Sequence, residues 1–368
     1  MKTMQQNRIR SKRFVLPDPG PTLAEIRTAI ESGWLSTGPY TRRLEETLAA
    51  DLSAPVFAAS SAMDALEIVL EHLAPAGRQV FLPANCFQAV PSMVTAAGAT
   101  PVALGVSPET HAGDIAALAD LPPAILIHVH SFGISSAREL RGLDDLRQRG
   151  WFVIVDSANL LPDEAYLQHR PTGEGIAELL SFNPTKPVAS AKGGALVTAD
   201  SGLSDYAEAA RAHSGREHIW DGGGHIYRDR QIGEINAIMA YHQWARRADI
   251  QSVYRALQRA YDNRLASGDY SVTAGAGGSL TVPTRYPVQL PEGVDLFAVA
   301  EAMSLEGIDC SVMYGVPWTA HAAFGAAAGA DDVTCSLISR TLCLPLHEAM
   351  GEDEPGLVLD VLEHCLTR

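Results

Sequence analysis

The sequence predicts an α/β fold, in which a mostly parallel seven-stranded sheet lies between helices and a smaller C-terminal α+β domain follows. Over the first 200 residues, short apolar runs alternate with helical patterns, and most of the runs are apolar on both faces. This combination is typical of a parallel sheet that is covered on both faces and connected by right-handed crossovers. After about residue 205, long helical stretches replace the alternation. At 368 residues the chain exceeds the ~250 to 300 at which one core stops growing, which favours two domains.

Seven short runs rich in β-branched or apolar residues predict the strands of the sheet. In chain order they are "PVFAAS" (55–60), "QVFLPA" (79–84), "TPVALGV" (100–106), "AILIHVH" (124–130), "WFVIVDSA" (151–158), "ELLSFN" (178–183) and "GALVTAD" (194–200). Two intervening segments, 63–74 and 137–150, carry apolar residues at spacings of three and four. Such spacing predicts helices with one apolar face, as expected for crossovers between strands.

The chain is expected to divide into three regions. Residues 1–14, "MKTMQQNRIRSKRF", are basic and lack the apolar centre of a signal peptide, so they predict a solvated N-terminal arm. Residues 15–250 are expected to form the large domain and residues 251–368 the small one. A helical stretch at 230–265 crosses this boundary. The small domain carries "YPVQL" (286–290), a helix (295–307), a loop "AAFGAAAGADD" (322–332) and "TLCLPLHEAM" (341–350).

Composition excludes several classes of function. A formal net charge of -15 repels polyanions, so nucleic acid is not an expected partner. No apolar run reaches the ~18 residues that a membrane span needs. The five cysteines are scattered without C-x-x-C spacing, which predicts neither a disulfide framework nor a metal site and favours the cytoplasm. Small molecules are therefore the expected partners.

Polar side chains follow several predicted strands, at the end where open α/β sheets bind ligands. They are Ser60, Ser61, Asn85, Phe87, His130, Asp156, Asn159, Ser181, Asn183 and Lys186. A lysine, a carboxylate, hydroxyl groups and an aromatic ring are thus expected at one edge of the sheet.

Pyridoxal phosphate is the cofactor that uses such a set. A lysine amine forms a Schiff base with its aldehyde, and a carboxylate such as Asp156 keeps its pyridine nitrogen protonated. Hydroxyls and N–H groups at a helix N-terminus bind its phosphate, which Ser60, Ser61 and the helix beginning near Ala62 supply. Phe87 is the candidate ring to stack on the pyridine. Taken alone, each of these residues could equally be a helix cap, a core residue or a solvated side chain. Their order along the chain and their shared edge of the sheet are what favour a cofactor site.

Several motifs resemble those of the DegT/DnrJ/StrS family of pyridoxal-phosphate-dependent sugar aminotransferases. They are "ESGWLSTGPYTRRLEETLAADL" (31–52), "AGATPVALGVSPET" (97–110), "VHSFG" (129–133), "VDSAN" (155–159), "SFNPTKPVASAKGGALVT" (181–198) and "LCLPLHEAM" (342–350). The resemblance spans roughly residues 15–365. It implies a fold-type-I enzyme and a homodimer whose active sites are shared between chains.

The resemblance assigns roles to individual residues. Lys186 corresponds to the Schiff-base lysine that also carries the reacting proton, and Asp156 to the partner of the pyridine nitrogen. The resemblance also implies that Asn159 lies near the phenolic oxygen of the cofactor, that Ser181 contacts its phosphate and that Phe87 stacks on its ring. The predicted cofactor site comprises Ser61, Ala62, Met63, Phe87, Asp156, Asn159, Ser181, Asn183, Lys186 and Arg228. The predicted substrate residues are His130, Lys192, Tyr314, Trp318 and His321.

Three departures from the family pattern lie near the predicted site. The phosphate loop reads "SAMDAL" (61–66) where the family has S-G-T-x-A-L, so a threonine hydroxyl is missing. Within "GGHIYRDRQIGEINA" (223–237), Ile226 falls where the family has an asparagine that reaches the phosphate across the dimer, whereas Arg228 is retained. Lys192 replaces the glutamate of G-E-G-G, as either a surface change or a new substrate contact.

The resemblance implies an aminotransferase that moves an amino group from glutamate or glutamine to a keto sugar, a keto-cyclitol or a related small carbonyl compound. The sugar dehydratases of the family replace the lysine with histidine, so Lys186 argues against that branch. Two alternatives stay open. One is a pyridoxal-phosphate enzyme for elimination, substitution or C–C bond formation, which would fit the altered phosphate loop. The other is a catalytically silent regulatory or binding protein.

Overall fold

The computed structural model describes residues 8–211, 228–274, 279–324 and 330–367. Ile226, residues 1–7 of the predicted arm and residues 325–329 of the predicted loop lie outside this set. The seven predicted strands form one sheet, which confirms the predicted α/β fold. They are β1 (Val56–Ala59), β2 (Gln79–Pro83), β3 (Thr100–Leu104), β4 (Ile125–Val129), β5 (Phe152–Asp156), β6 (Ile176–Ser181) and β7 (Gly194–Val197).

The order of strands in this sheet is β1-β7-β6-β5-β4-β2-β3. β7 runs antiparallel to both of its neighbours, and the remaining pairs are parallel. The register sets Val129 beside Asp156 and Asp156 beside Leu179, so β4, β5 and β6 end at nearly the same level. Their carboxyl ends therefore deliver the following residues to one edge of the sheet.

Twelve α-helices surround the sheets in the described residues. They are α1 (Gly20–Ser32), α2 (Pro39–Leu52), α3 (Ala62–Leu73), α4 (Ala89–Ala96), α5 (Ala137–Gln148), α6 (Glu164–His169), α7 (Ser201–Arg211), α8 (Glu234–Ala245), α9 (Arg247–Leu265), α10 (Leu296–Leu305), α11 (Asp332–Ser339) and α12 (Glu354–Leu366). Capping side chains explain several starts: Ser61 accepts the N–H of Asp64 at α3, and Ser136 and Glu139 form a capping box at α5. None of these helices combines the length and the apolar character that a membrane crossing requires.

A second, antiparallel sheet has the order β10-β9-β8 and is formed by β8 (Thr273–Ala274), β9 (Tyr286–Gln289) and β10 (Thr341–Leu344). One hydrophobic core joins Leu44 of α2 and Tyr254 of α9 to Val288, Leu342 and Leu359 beside this small sheet. The boundary predicted at residue 250 falls within α9, whose apolar face belongs to that shared core. The division into two domains therefore stays a prediction.

The N-terminal segment differs from the expected solvated arm over residues 8–12. Ile9 is only 7% exposed, and its N–H donates to the carbonyl of Gly307 at 3.0 Å. The Lys12 amine donates to the carbonyls of Thr284 and Leu346, the second at 2.9 Å. Because Ile9 and the Lys12 stem gain apolar burial, the segment packs on the small sheet despite its basic composition.

Candidate active site

A cavity of about 360 Å³ lies at the carboxyl edge of the large sheet. Its volume is within the ~300 to 1,000 Å³ typical of small-molecule sites. The structure brings together most of the predicted site residues here, and those lining the cavity are Ser61, Ala62, Met63, Phe87, Asp156, Asn159, Ser181, Asn183, Lys186, Lys192 and Tyr314. Most of the residues predicted from the strand ends therefore line one cavity.

Lys186 follows β6 in a tight loop, where its backbone N–H donates to the carbonyl of Asn183 at 2.9 Å. Its amine donates to the side-chain oxygen of Asn159, also at 2.9 Å. Burial lowers the pKa of Lys186 from 10.5 to about 8, with the charge of Arg285 acting in the same direction and that of Asp156 opposing it. A substantial fraction of the amine is consequently neutral near physiological pH, as a nucleophilic lysine requires.

Asp156 is the last residue of β5, and its side chain is buried at 7% exposure. One carboxylate oxygen accepts the N–H of Ala158 at 2.9 Å. Burial raises the pKa of Asp156, whereas the Ala158 hydrogen bond and the charge of Lys186 oppose this rise. Within the described chain, no cation lies within ion-pair distance of this carboxylate. A protonated pyridine nitrogen is the kind of partner that such a buried carboxylate lacks.

The N-terminus of α3 forms another wall of the cavity through Ser61, Ala62 and Met63. β7 packs tightly against it, since a Cβ on Gly194 would lie 2.3 Å from the Ala62 nitrogen. The free N–H groups of the first helical turn suit a phosphate. The Ser61 hydroxyl, however, donates to the Asp64 carboxylate at 2.6 Å. The backbone fits the phosphate of the cofactor, while the hydroxyl is engaged by a neighbouring acid.

Two aromatic residues lie at the mouth. Phe87 is 51% exposed, and its ring centre is 6.4 Å from that of Tyr314. The backbone N–H of Tyr314 donates to the side-chain oxygen of Asn85 at 3.2 Å, which ties the segment before α11 to the end of β2. Phe87 is thus available to a ligand in the cavity, as its predicted stacking position requires.

Two predicted substrate residues lie away from the cavity. Trp318 is 1% exposed, and its indole N–H donates to the carbonyl of Pro83 at 2.9 Å, so it packs in the core. His130 is fully buried, with its ring edge-on to His128 and Tyr166 at centre distances of 5.0 and 5.5 Å. These placements correct the prediction of substrate contacts, because both side chains are buried in packed surroundings and neither lines the cavity.

Two further predicted residues do not line the cavity of their own chain. Arg228 forms an ion pair with Glu67 of α3, and its side chain is 51% exposed. The ring of His321 lies 2.6 Å from the side-chain nitrogen of Gln88. The assignment of Arg228 to a cofactor site shared between chains stays a prediction, as does a substrate contact by His321.

Arg285 lines the cavity and was missed by the sequence reasoning. It immediately precedes β9, where a single arginine at a strand end carries no signal that distinguishes a ligand contact from a solvated side chain. Met313 also lines the cavity and was not predicted, whereas Asn85, which was named among the strand-end residues without a role, lines it as well. Arg285 and Met313 come from the small sheet and the segment before α11, which have no motif tied to a strand-end position.

Comparisons with known proteins identify the family of the chain. A model of the DegT/DnrJ/EryC1/StrS aminotransferase family matches residues 20–363. The spore coat polysaccharide biosynthesis protein SpsC of Bacillus subtilis (strain 168) is 27% identical over 366 residues, which cover 93% of this chain and 92% of that protein. The UDP-4-amino-4-deoxy-L-arabinose--oxoglutarate aminotransferase of Shewanella sediminis (strain HAW-EB3) is 31% identical over 188 residues, or 50% and 47% of the two chains. The crystal structure of DesI in the presence of its TDP-sugar product matches with a TM-score of 0.83 and 26% identity, over 99% of this chain and 94% of that chain.

Proposed function

The chain belongs to the DegT/DnrJ/EryC1/StrS aminotransferase family, and from that premise we propose that it moves an amino group from glutamate or glutamine to a keto sugar, a keto-cyclitol or a related small carbonyl compound. It is a fold-type-I aminotransferase that depends on pyridoxal phosphate. When bound, the cofactor supplies an aldehyde for the amine and a ring that accepts electrons. The observation that carries the proposal is the partly buried Lys186 amine, which donates to Asn159 in the cavity that Asp156 also lines.

Lys186 has two tasks in this proposal, namely covalent attachment of the cofactor and proton transfer. In one half-reaction its amine would take the proton from the donor Cα and transfer it to the cofactor carbon that carried the aldehyde. This transfer requires a pKa near the working pH. The hydrogen bond from Nζ to Asn159 orients the amine between these tasks. Asp156 maintains a negative charge that stabilises a protonated ring nitrogen. Phe87 and the α3 N-terminus restrict where the ring and the phosphate lie.

A sugar acceptor is supported by the names of two similar proteins. SpsC is described as a polysaccharide biosynthesis protein, and DesI was crystallised with a TDP-sugar product. In this chain, Lys192 lies exposed on the cavity lining in place of the family glutamate. A cation at that position suits an anionic part of the acceptor, such as a diphosphate. The donor is supported by the relative named as an oxoglutarate aminotransferase, because oxoglutarate is the keto acid that glutamate leaves.

A homodimer is part of the proposal. Leu23, Ile30 and Trp34 lie at spacings of seven and four along α1 and the turn that follows it, and they are 59%, 56% and 59% exposed. Leu35, at 48% exposed, continues this surface. Grouped exposed apolar side chains mark interaction surfaces, and a second copy of the chain would cover them. Light scattering of the purified protein tests this, and a monomer at all concentrations would contradict it.

The first experiment records the near-ultraviolet and visible absorption spectrum of the purified protein with pyridoxal phosphate, before and after glutamate. We expect a Schiff-base band that glutamate converts to the spectrum of the amino form of the cofactor. Borohydride reduction followed by peptide mass analysis should place the cofactor on Lys186. A protein that never binds the cofactor would overturn the proposal. Turnover of another amino acid without the amino form would favour elimination, substitution or C–C bond formation.

A further inference from the structure

The cavity is electropositive although the protein is acidic. Its lining includes one acidic side chain, Asp156, and three basic ones, Lys186, Lys192 and Arg285. The whole chain carries a formal net charge of -15. A phosphate at the N-terminus of α3 supplies one anion. In the proposed function Lys186 binds the aldehyde of the cofactor and Lys192 an anionic part of the acceptor, so Arg285 is the cation of the lining that has no assigned anion.

Arg285 is the basic residue in the lining that most needs an anionic partner. Its side chain is buried at 9% exposure, and its Nη1 donates to the Ser311 hydroxyl at 3.1 Å. The Nε has no hydrogen-bond partner, and within the described chain no carboxylate lies within ion-pair distance of the guanidinium. Burial of a guanidinium without a charged partner is unfavourable. Its planar fork of N–H groups matches a carboxylate or a phosphate through two parallel hydrogen bonds.

The backbone holds Arg285 close to the reacting lysine. The hydroxyl of Thr284, the preceding residue, donates to the carbonyl of Asn159 at 2.7 Å. The side chain of the same Asn159 accepts the Lys186 amine at 2.9 Å. Arg285 also acts electrostatically on Lys186, since its charge contributes to lowering the pKa of that amine. These contacts fix the residue before Arg285 to the residue that holds the Lys186 amine, and the side chains of Arg285 and Lys186 line the same cavity.

We propose that Arg285 binds the α-carboxylate of the amino donor, so that this residue makes an α-amino acid the donor. The inference rests on the proposed function. In an α-amino acid the carboxyl carbon is two bonds from the amine nitrogen, and that nitrogen reacts where the Lys186 amine does. A cation next to Lys186 therefore meets the α-carboxylate rather than a group at the far end of the donor. An amino sugar lacks this group, so Arg285 distinguishes donor from product.

The test compares three donors on the wild type and on Arg285→Gln, each loaded with cofactor and titrated by absorbance. L-Glutamate and L-glutamine share the α-carboxylate, whereas isoglutamine replaces it with an amide. Loss of a charge-assisted hydrogen bond, ~1.5 to 3 kcal/mol, should weaken glutamate and glutamine alike by roughly 10- to 150-fold. Isoglutamine should bind weakly to both proteins and be unaffected by the substitution. Arg285→Lys should recover part of the affinity because it retains the charge without the planar fork.

Arg340→Gln is the matched control. Arg340 lies between α11 and β10, and its Nη1 donates to the Leu290 carbonyl at 3.1 Å, away from the cavity lining. The substitution Arg340→Gln removes one positive charge from the same small sheet, as Arg285→Gln does. The affinities for all three donors should stay within about twofold of the wild type. Weakening of glutamate and isoglutamine, but not of glutamine, by Arg285→Gln would instead assign the guanidinium to the side-chain carboxylate. If Arg285→Gln weakened binding of the carbonyl acceptor and of no donor, the guanidinium would be assigned to the acceptor. Either result overturns the inference.

A second readout does not use the loaded enzyme. Apo-protein captures pyridoxal phosphate through the neutral amine of Lys186, so the capture rate should rise with pH through about 8. The Arg285 charge lowers the pKa of Lys186, so Arg285→Gln should move the midpoint to higher pH. The Asp156 charge raises that pKa, so Asp156→Asn should move the midpoint to lower pH. An unchanged midpoint in Arg285→Gln would place the guanidinium too far from Lys186 for the proposed contact.

The two proposals fail in distinguishable ways. If the wild type captures the cofactor but reacts with no amino donor, the proposed function fails. If the wild type reacts with glutamate and Arg285→Gln reacts with unchanged affinity, only the inference about Arg285 fails.

Discussion

Two walls of the cavity differ in how the chain builds them. The strand-end wall, formed by Asp156, Asn159 and Lys186, follows β5 and β6, whose register is set by parallel pairing. The small-sheet wall, formed by Arg285, Met313 and Tyr314, comes from the start of β9 and the segment before α11. The first wall inherits its geometry from a continuous ladder of backbone hydrogen bonds. The second depends on individual contacts between separate segments, such as Tyr314 to Asn85.

This difference separates reaction from recognition. The roles proposed for Lys186 and Asp156, bond formation and charge stabilisation on the cofactor, fall on the strand-end wall, where small displacements would be costly. The substrate contact proposed for Arg285 falls on the wall assembled from separate segments, where binding residues commonly occur. Substitutions on the strand-end wall should therefore abolish chemistry, whereas those on or behind the small-sheet wall should alter affinity or stability.

The largest effect is expected for Lys186→Ala. Removal of the amine eliminates both covalent attachment and proton transfer, so donor conversion should fall by at least about 10³-fold. Stopped-flow absorbance with glutamate measures this. Lys192→Ala, which changes the other lysine of the lining, should keep the Schiff-base band and affect mainly the acceptor. Equal losses in the two variants would show that donor conversion does not depend specifically on the Lys186 amine.

Asp156→Asn should have the next largest effect. Asparagine keeps an oxygen that can accept the Ala158 N–H, but it lacks the charge that holds a proton on the ring nitrogen. The rate of donor conversion should fall by roughly 10²- to 10³-fold, as for loss of one electrostatic contact in a shielded site. Single-turnover kinetics test this while equilibrium dialysis follows cofactor retention. A rate within tenfold of the wild type would show that Asp156 does not act on the ring.

Lys12→Met should lower the stability of the protein next to the small-sheet wall without removing a residue of the cavity. Burial lowers the pKa of Lys12 well below its ordinary value, yet its amine still donates to the carbonyls of Thr284 and Leu346. Methionine keeps the apolar stem but leaves both carbonyls without this donor, so the free energy of unfolding should fall by about 1 to 3 kcal/mol. Denaturant titration measures the loss. Cofactor capture by Lys186 in the folded variant should persist, and its complete loss would mean that the two walls are not separable.

The smallest effect is expected for Met63→Thr, which restores the hydroxyl that the family carries in the phosphate loop. Met63 lines the cavity in the first turn of α3 and offers the phosphate no side-chain hydrogen bond. One added hydrogen bond, ~0.5 to 1.5 kcal/mol, should tighten cofactor binding by roughly 2- to 10-fold. Met63→Val is the control of similar shape without the hydroxyl. Equal affinities of the two variants would show that backbone N–H groups already satisfy the phosphate.

The sequence predicted the strand-end wall well because two regularities coincided there. Apolar runs located the strands, and parallel strands deliver the residues after them to one edge, so Asp156, Asn159 and Lys186 were found together. Arg285 could not be found in this way, because its position depends on how the small sheet packs against the large one. Trp318 and His130 were misassigned since burial is decided by tertiary packing. The N-terminal segment was predicted to be solvated because its composition is basic, and composition does not show that Ile9 is buried.

The docking of residues 8–12 has a consequence for the order in which the protein is made. The acceptor carbonyls of Lys12, at Thr284 and Leu346, leave the ribosome 272 and 334 residues after it. The segment must therefore wait without its final partners until both of these residues have been translated. Thr284 adjoins Arg285, so the small-sheet wall is fully supported only after these three distant parts of the chain have met.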